Sequence, residues 1–344
     1  MLRLPPFELL RPSSLEEARS LLVEHGPGAR PLAGGTDLLV NLKLGSTEAQ
    51  TLVSLAAIPE LCGIREEAGE LVIGAMTPLA QVAASEVVRS RIPVLAQAAS
   101  VVASPQLRAM GTLGGNLLLD TRCQWINQSH FWRAALGFCL KKDGSKCHVV
   151  EKGKRCVAAA SNDTAPALLV LGARLVVLGA QERSMPLAEL YSSDGAQHLT
   201  LAADELLVEV RVPLPEQSAR STQHSAYGKL RRRASIDFPL LGLAANLELD
   251  ESKTVRAASL AAVALSAQPL SLPKVAAALL GVETSGAQLE RAIVAAGALA
   301  QRRLKPLDNI PGDAWWRREM VPVLLGRTLR AALSDTGPVN GDPQ

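Results

Sequence analysis

Four of the five cysteines, Cys123, Cys139, Cys147 and Cys156, share one stretch, with gaps of 15, 7 and 8 residues between them. Four thiolates can hold an iron–sulfur cluster, and such ligands need not be close in sequence. There is no C-x-x-C pair, so the usual zinc-finger and zinc-ribbon spacing is absent. The same stretch holds Trp125, Phe131, Trp132 and Phe138, four of only ten aromatic residues. A bulky apolar wall keeps water off a metal centre and tunes its potential. On residue types and spacing an iron–sulfur cluster, two disulfides, a structural zinc and unrelated core cysteines all stay open. Disulfides, however, suit oxidising compartments. Cys62, between Leu61 and Gly63, reads as a buried small hydrophobe. His25, His198 and His224 read as scattered surface residues; His130 and His148 fall inside the cysteine stretch.

Small-residue turns flank this region. Ala33-Gly34-Gly35-Thr36-Asp37 lies between an expected short strand at 30–32 and an expected helix from Leu38 to position 44. Glycines placed so let backbone N–H groups converge on an anion, helped by the helix dipole. The Rossmann pattern G-x-G-x-x-G is missing. Thr112-Leu113-Gly114-Gly115-Asn116 is a second such turn, with Thr112 and Asn116 able to hydrogen-bond a ligand. Each turn alone reads as an ordinary loop; two in one chain point to a dinucleotide. The region closes on residues 161–166, which include Asp163.

The elements that must carry these turns follow from local signals. Ser13 with Glu16 three residues on reads as the cap of a helix over 14–24. Strands are expected at 51–55, 174–178 and 206–212, and a hairpin at 63–74 turning near Ala68-Gly69. Helices are expected from Thr77-Pro78, at 92–102 and at 167–173. Residues 213–225 read as a polar linker. Strands at 240–249 and 257–265 and helices at 272–280, 286–300 and 315–333 suggest a three-stranded antiparallel sheet carrying helices. The basic run from Lys229 to Asp237, with Arg231, Arg232 and Arg233, reads on its own as a solvated strand.

At 344 residues the chain can bury two or three cores. Hydrophobic content is 48% and charged content 20%, ordinary for a soluble globular protein. No apolar run approaches a membrane span, and no signal peptide is visible, so a cytoplasmic location is expected. A net charge of +3 implies no nucleic-acid partner. Between Cys123 and Cys156, however, seven Lys/Arg face two acids, an excess of +5 on a chain otherwise at −2.

The run 112–120, with Thr121-Arg122-Cys123, Asn127-Gln128-Ser129, Cys139-Leu140-Lys141, Lys146-Cys147-His148-Val149 and Arg155-Cys156, closely resembles the β subunits of 4-hydroxybenzoyl-CoA reductases. These are flavin-binding members of the xanthine dehydrogenase family of molybdenum enzymes. The resemblance runs from Pro31 to the arginine-rich C-terminal helix, and the cysteine insert is its most specific part. It implies an α+β fold: a two-part FAD-binding region, a small α/β subdomain and a larger α+β one, over 1–215. Residues 121–160 would form a [4Fe–4S] insert. A C-terminal antiparallel sheet with helices would follow over 216–335, and a tail over 336–344.

By the same resemblance FAD contacts fall on Leu32, Ala33, Gly34, Gly35, Thr36, Asp37, Leu38, Val102, Thr112, Leu113, Gly114, Gly115, Asn116, Asp163 and Lys229, the lysine lying beside the flavin. Cys123, Cys139, Cys147 and Cys156 would hold the cluster. No catalytic residue is expected in this chain. Expected partners are a molybdopterin-binding large subunit, a [2Fe–2S] small subunit and ferredoxin as donor, in a dimer of heterotrimers that dehydroxylates 4-hydroxybenzoyl-CoA to benzoyl-CoA. The alternatives are a flavin subunit of another molybdenum hydroxylase, acting on xanthine-like or aldehyde substrates, and a zinc-stapled binding module.

Overall fold

The computed structural model describes residues 2–214, 221–334 and 339–340. The fold is α+β, with three sheets. The first is small and parallel, ordered Glu8–Leu10, Thr51–Ser54, Ala29–Leu32. The helix Leu15–His25 covers it, burying Ala18 and Leu22. Its cap is Ser14, one residue later than expected. The Ser14 hydroxyl accepts from the Glu17 N–H, and Glu17 reaches back to the Ser13 N–H at 2.7 Å, so Glu17 and not Glu16 completes the box.

The second sheet is antiparallel, ordered Ile64–Glu67, Glu70–Gly74, Leu206–Pro213, Arg174–Leu178, Glu182–Pro186. The hairpin turns at Ala68 and Gly69, both at positive φ. Helices Leu79–Ala84, Glu86–Arg91, Pro93–Ser100 and Thr164–Val170 share its core. Two of these differ from expectation. Pro78 precedes its helix as an extended cap residue, and Thr164–Val170 starts three residues before the apolar run at 167.

The C-terminal sheet has five strands among the described residues, not three. Leu270–Ser271, Val255–Val263, Leu241–Asp250, Ser221–Leu230 and Val339–Asn340 lie in that order, the last pair parallel. Helices Gly286–Arg303 and Ala314–Leu333 cover one face, where Leu241, Leu243, Ala245 and Leu247 point. The other face, with Tyr227, Ala244 and Ala261, joins the core of the second sheet through helices Pro93–Ser100 and Thr164–Val170. Burial on both faces explains why residues 240–249 read as a nearly unbroken apolar run. The expected linker at 213–225 is partly strand: Ser221 to Leu230 pair along Leu241–Asp250 without a break. Positions 215–220 of that linker lie outside the described residues, as does the expected tail apart from 339–340. No helix among the described residues is long and apolar enough to cross a membrane.

Candidate functional site

Residues 121–160 form an excursion between the short helix Leu113–Leu117 and the helix Thr164–Val170. An antiparallel bridge between Arg122 and Ala159 closes the excursion and brings Cys123 and Cys156 to its neck. Within it the helix His130–Ala135 is capped by Ser129. Arg133, 2% exposed, donates from Nη2 to the carbonyls of Leu44 (3.2 Å) and Gly45 (2.8 Å). It thereby caps the C-terminus of the helix Leu38–Leu44, whose N-terminus follows the first glycine turn.

That turn, 33–37, and residues 112–116 open on one cleft of about 650 Å³; the second is not the expected loop but the first turn of a short helix, Leu113–Leu117, capped by Thr112. Ala33, Gly34, Gly35, Thr36, Asp37, Leu38, Val102, Thr112, Gly114, Gly115, Asn116 and Asp163 line it. Leu32, Leu113 and Lys229 do not; Leu113 is fully buried in the core. A Cβ on Gly34 would overlap the carbonyl oxygen of Met110, so glycine there lets the first turn pack backbone on backbone against the end of the helix Pro105–Met110. Gly115 is different: its nearest neighbours would be Thr112 Oγ1 at 3.0 Å and Ala33 Cβ at 3.7 Å. The side-chain oxygens of Thr112 and Asn116 serve the protein. Thr112 Oγ1 accepts from the Gly115 N–H at 3.0 Å. Asn116 Oδ1 accepts from the N–H and hydroxyl of Thr164, at 3.1 and 2.6 Å, and so stitches the two flanks of the insert together.

Lys229 stands behind the cleft. Its ammonium donates to Asp163 Oδ2 and to the Val101 carbonyl, each at 2.9 Å, while Tyr227 Oη donates to Asp163 Oδ1 at 2.8 Å. Burial pushes the Asp163 carboxyl up and the Lys229 ammonium down, and their attraction opposes both. Lys229 therefore orients a cleft carboxylate instead of facing the cleft.

Sequence reasoning missed several cleft residues. Arg122 lies 3.4 Å from Asp37, and its guanidinium stacks 3.8 Å from the centre of the Phe238 ring. Burial pushes the Asp37 carboxyl up to about 6. Asp120, Ile236, Phe238 and His198 also line the cleft. His198, expected at the surface, is instead largely enclosed. Burial holds its imidazole below the ordinary range, and its Nδ1 lies 3.6 Å from Asp120. Asp120 and Arg122 lie in the runs that carry the resemblance, but nothing in the sequence marked Ile236, Phe238 or His198 as cleft residues.

All four insert cysteines line a second, smaller cavity with Trp125, Ile126, Leu140, Lys141, His148, Val149, Val157 and Ala158. All are free thiols. Burial pushes Cys123 up to about 12. Backbone N–H groups of Val150 and Ala158 point at the sulfurs of Cys147 and Cys156, both at 3.4 Å. No group of three or more His, Cys, Asp or Glu among the described residues is arranged to hold a metal ion, although all four thiols line this one cavity. His148 donates from Nε2 to the Phe138 carbonyl at 2.6 Å and packs on Trp125. Cys62 is far from this arrangement in role: it is exposed, not the buried hydrophobe expected.

The insert's basic excess is also not all surface. Arg133 and Lys141 are buried side chains, and Lys142 pairs with Glu48 at 2.8 Å. Lys146, Lys152, Lys154 and Arg155 remain exposed.

Residues 5–215 match the family described as FAD binding domain in molybdopterin dehydrogenase, and residues 225–332 match the CO dehydrogenase flavoprotein C-terminal domain. The chain belongs to the FAD-binding subunits of the molybdenum hydroxylase family. Among its relatives, the carbon monoxide dehydrogenase medium chain of Hydrogenophaga pseudoflava is 30% identical over 95% of this chain and 97% of its own. The aldehyde oxidoreductase FAD-binding subunit PaoB of Escherichia coli K12 is 35% identical over 69% of this chain and 76% of its own. The solved carbon monoxide dehydrogenase of Hydrogenophaga pseudoflava lacking the Mo-pyranopterin moiety superposes with a TM-score of 0.77 at 29% identity, covering 97% of this chain and all of that one. This molybdenum-hydroxylase flavin subunit thus binds FAD as part of an oxidoreductase. The cleft has the size and the glycine turns such a dinucleotide needs.

Proposed function

We propose that this chain is the electron-transfer flavoprotein of a molybdenum-containing reductase of the 4-hydroxybenzoyl-CoA reductase type. It would hold FAD over 1–215 and one [4Fe–4S] cluster in the 121–160 insert, with residues 216–335 as a supporting domain. The observation that carries this reading is that all four insert thiols line one cavity. Four thiolates are the ligand set of such a cluster, and N–H groups directed at sulfur are what such clusters use to tune their charge. Trp125, Ile126 and Val149 would keep water off the site.

In this proposal the lining residues of the cleft, from Ala33 to Leu38 and from Thr112 to Asn116, hold the dinucleotide, with Leu32 and Leu113 supporting the turns from behind. Val102 adds apolar contact. Lys229, through Asp163, fixes the acceptor groups of the site. When bound, FAD and the cluster would let electrons pass one at a time between partners. Substrate chemistry, reductive removal of a phenolic hydroxyl from an aromatic CoA thioester, would belong to a cytoplasmic molybdopterin-binding partner. A [2Fe–2S] subunit would link the two, and ferredoxin would donate, in a dimer of heterotrimers. The second reading is a flavin subunit of a hydroxylase, favoured by relatives that carry the names of carbon monoxide and aldehyde enzymes.

Anaerobically purified protein should carry flavin, iron and acid-labile sulfide. Single Cys→Ser changes at positions 123, 139, 147 and 156 should each lose the iron and sulfide, and Cys62→Ser should keep them. Iron without sulfide, or zinc, would remove the cluster. Rapid flavin reduction by NADH, with none by reduced ferredoxin, would favour the hydroxylase.

A further inference from the structure

The cysteine cavity and the flavin cleft share a wall, and Lys141 is built into it. Among the described residues it is the one Lys or Arg lining the cysteine cavity. Its side chain is 7% exposed, and its ammonium donates to Asp120 Oδ1 at 2.7 Å, to the Thr121 hydroxyl and to the Gly195 carbonyl at 2.8 Å. Asp120 lines the flavin cleft on the other side. Every donor bond therefore goes to the chain just before Cys123 or to the loop behind Cys156, whose carbonyl accepts from the Gly195 N–H.

We propose that Lys141 is a positioning residue that couples the charge of the cluster to the flavin cleft. Its ammonium favours the more negative, reduced cluster, and Asp120 sets how much of that charge the cluster feels. This rests on the cluster reading above. One-electron reduction adds one negative charge to the cluster, and in a wall shielded from water a fixed ammonium nearby favours that step. Asp120 opposes it, because a carboxylate on the same ammonium neutralises it. The two residues should thus move the potential in opposite directions, which a purely structural pair would not do.

The test is a redox titration of the complete protein at one pH, with dithionite as reductant and the reduced cluster followed by electron paramagnetic resonance. Flavin, iron and sulfide are measured on each sample. Lys141→Met should lower the reduction equilibrium of the cluster about tenfold, or about 59 mV for a one-electron couple. Asp120→Asn should raise it, and Lys141→Arg should stay close to wild type. If Lys141→Met does not fold, the other two variants still decide. A rise in Asp120→Asn, with Lys141→Arg near wild type, supports the coupling. Unchanged potentials, or shifts of the same sign in Lys141→Met and Asp120→Asn, overturn it. Wild-type protein without iron and sulfide would overturn it too, through the cluster reading, and that failure is told apart by the metal analysis.

Discussion

The ammonium of Lys229, on a strand of the C-terminal sheet, lies 2.9 Å from Asp163 Oδ2 on the far flank of the cysteine insert. Both side chains are almost wholly buried, at 1% and 3% exposed, so this pair bolts the C-terminal sheet to the flavin cleft. Removing one partner strands a buried charge, which is worth roughly 3–5 kcal/mol. Lys229→Met should therefore lose stability of that order and flavin with it. Lys229→Met with Asp163→Asn should recover much of the stability, because no lone charge remains. Urea unfolding of the three apoproteins, wild type, Lys229→Met and the double variant, measures this; a double variant no more stable than Lys229→Met alone would refute the account.

Asp37 supplies a pH signature. Its folded value of about 6 stands above the ordinary 3.8, so below about 6 the folded chain holds a proton that the unfolded chain has released. Stability from this group therefore falls as pH rises from about 4 to about 6, and is lowest above that window. Asp37→Asn should be more stable than wild type at pH 7, by at most about 3 kcal/mol, and the advantage should vanish near pH 4. Thermal unfolding of both apoproteins across that range checks it; a constant difference would contradict it.

The two glycines should fail differently. Gly34→Ala drives a methyl group into the Met110 carbonyl, so it should lower the unfolding temperature and the flavin content together. Gly115→Leu faces the cleft, with no backbone neighbour within 4 Å beyond its own turn, so the fold should hold while flavin is lost. Visible absorption per chain beside a melting curve separates the two. Full flavin in Gly115→Leu would mean that the 112–116 turn does not contact the cofactor.

Docking of an acidic donor should depend on Lys146, Lys152 and Lys154, since Lys141 and Lys142 already have carboxylate partners. Surface charge of this kind speeds encounter by roughly 10–10³-fold, and salt weakens it over a Debye length of about 8 Å. Changing the three lysines to Glu should slow flavin reduction by ferredoxin about tenfold at low salt, flatten its salt dependence and leave the iron content intact. Identical salt slopes in both proteins would place the docking surface elsewhere.

The sequence by itself determined the elements and the chemical types. Local signals marked the hairpin, the strands at 30–32 and 51–55 and the long C-terminal helices, because those signals act over one or two turns of chain; the strand Glu8–Leu10 beside Thr51–Ser54 was not anticipated. The glycine turns and the four cysteines were legible as residue types. Tertiary structure decided where they meet. Residues 221–225, which open the strand Ser221–Leu230, are polar and read as linker; they are strand because Leu241–Asp250 pairs with them. Lys141 and Lys142 are adjacent and chemically identical, yet one is walled in beside Asp120 and the other reaches Glu48. Lys229 looked solvated within its basic run and is sealed because Asp163, 66 positions earlier, waits in the same core. Each outcome depends on a partner far away in sequence, and a charge becomes buried or exposed according to that partner, a relation no local pattern carries.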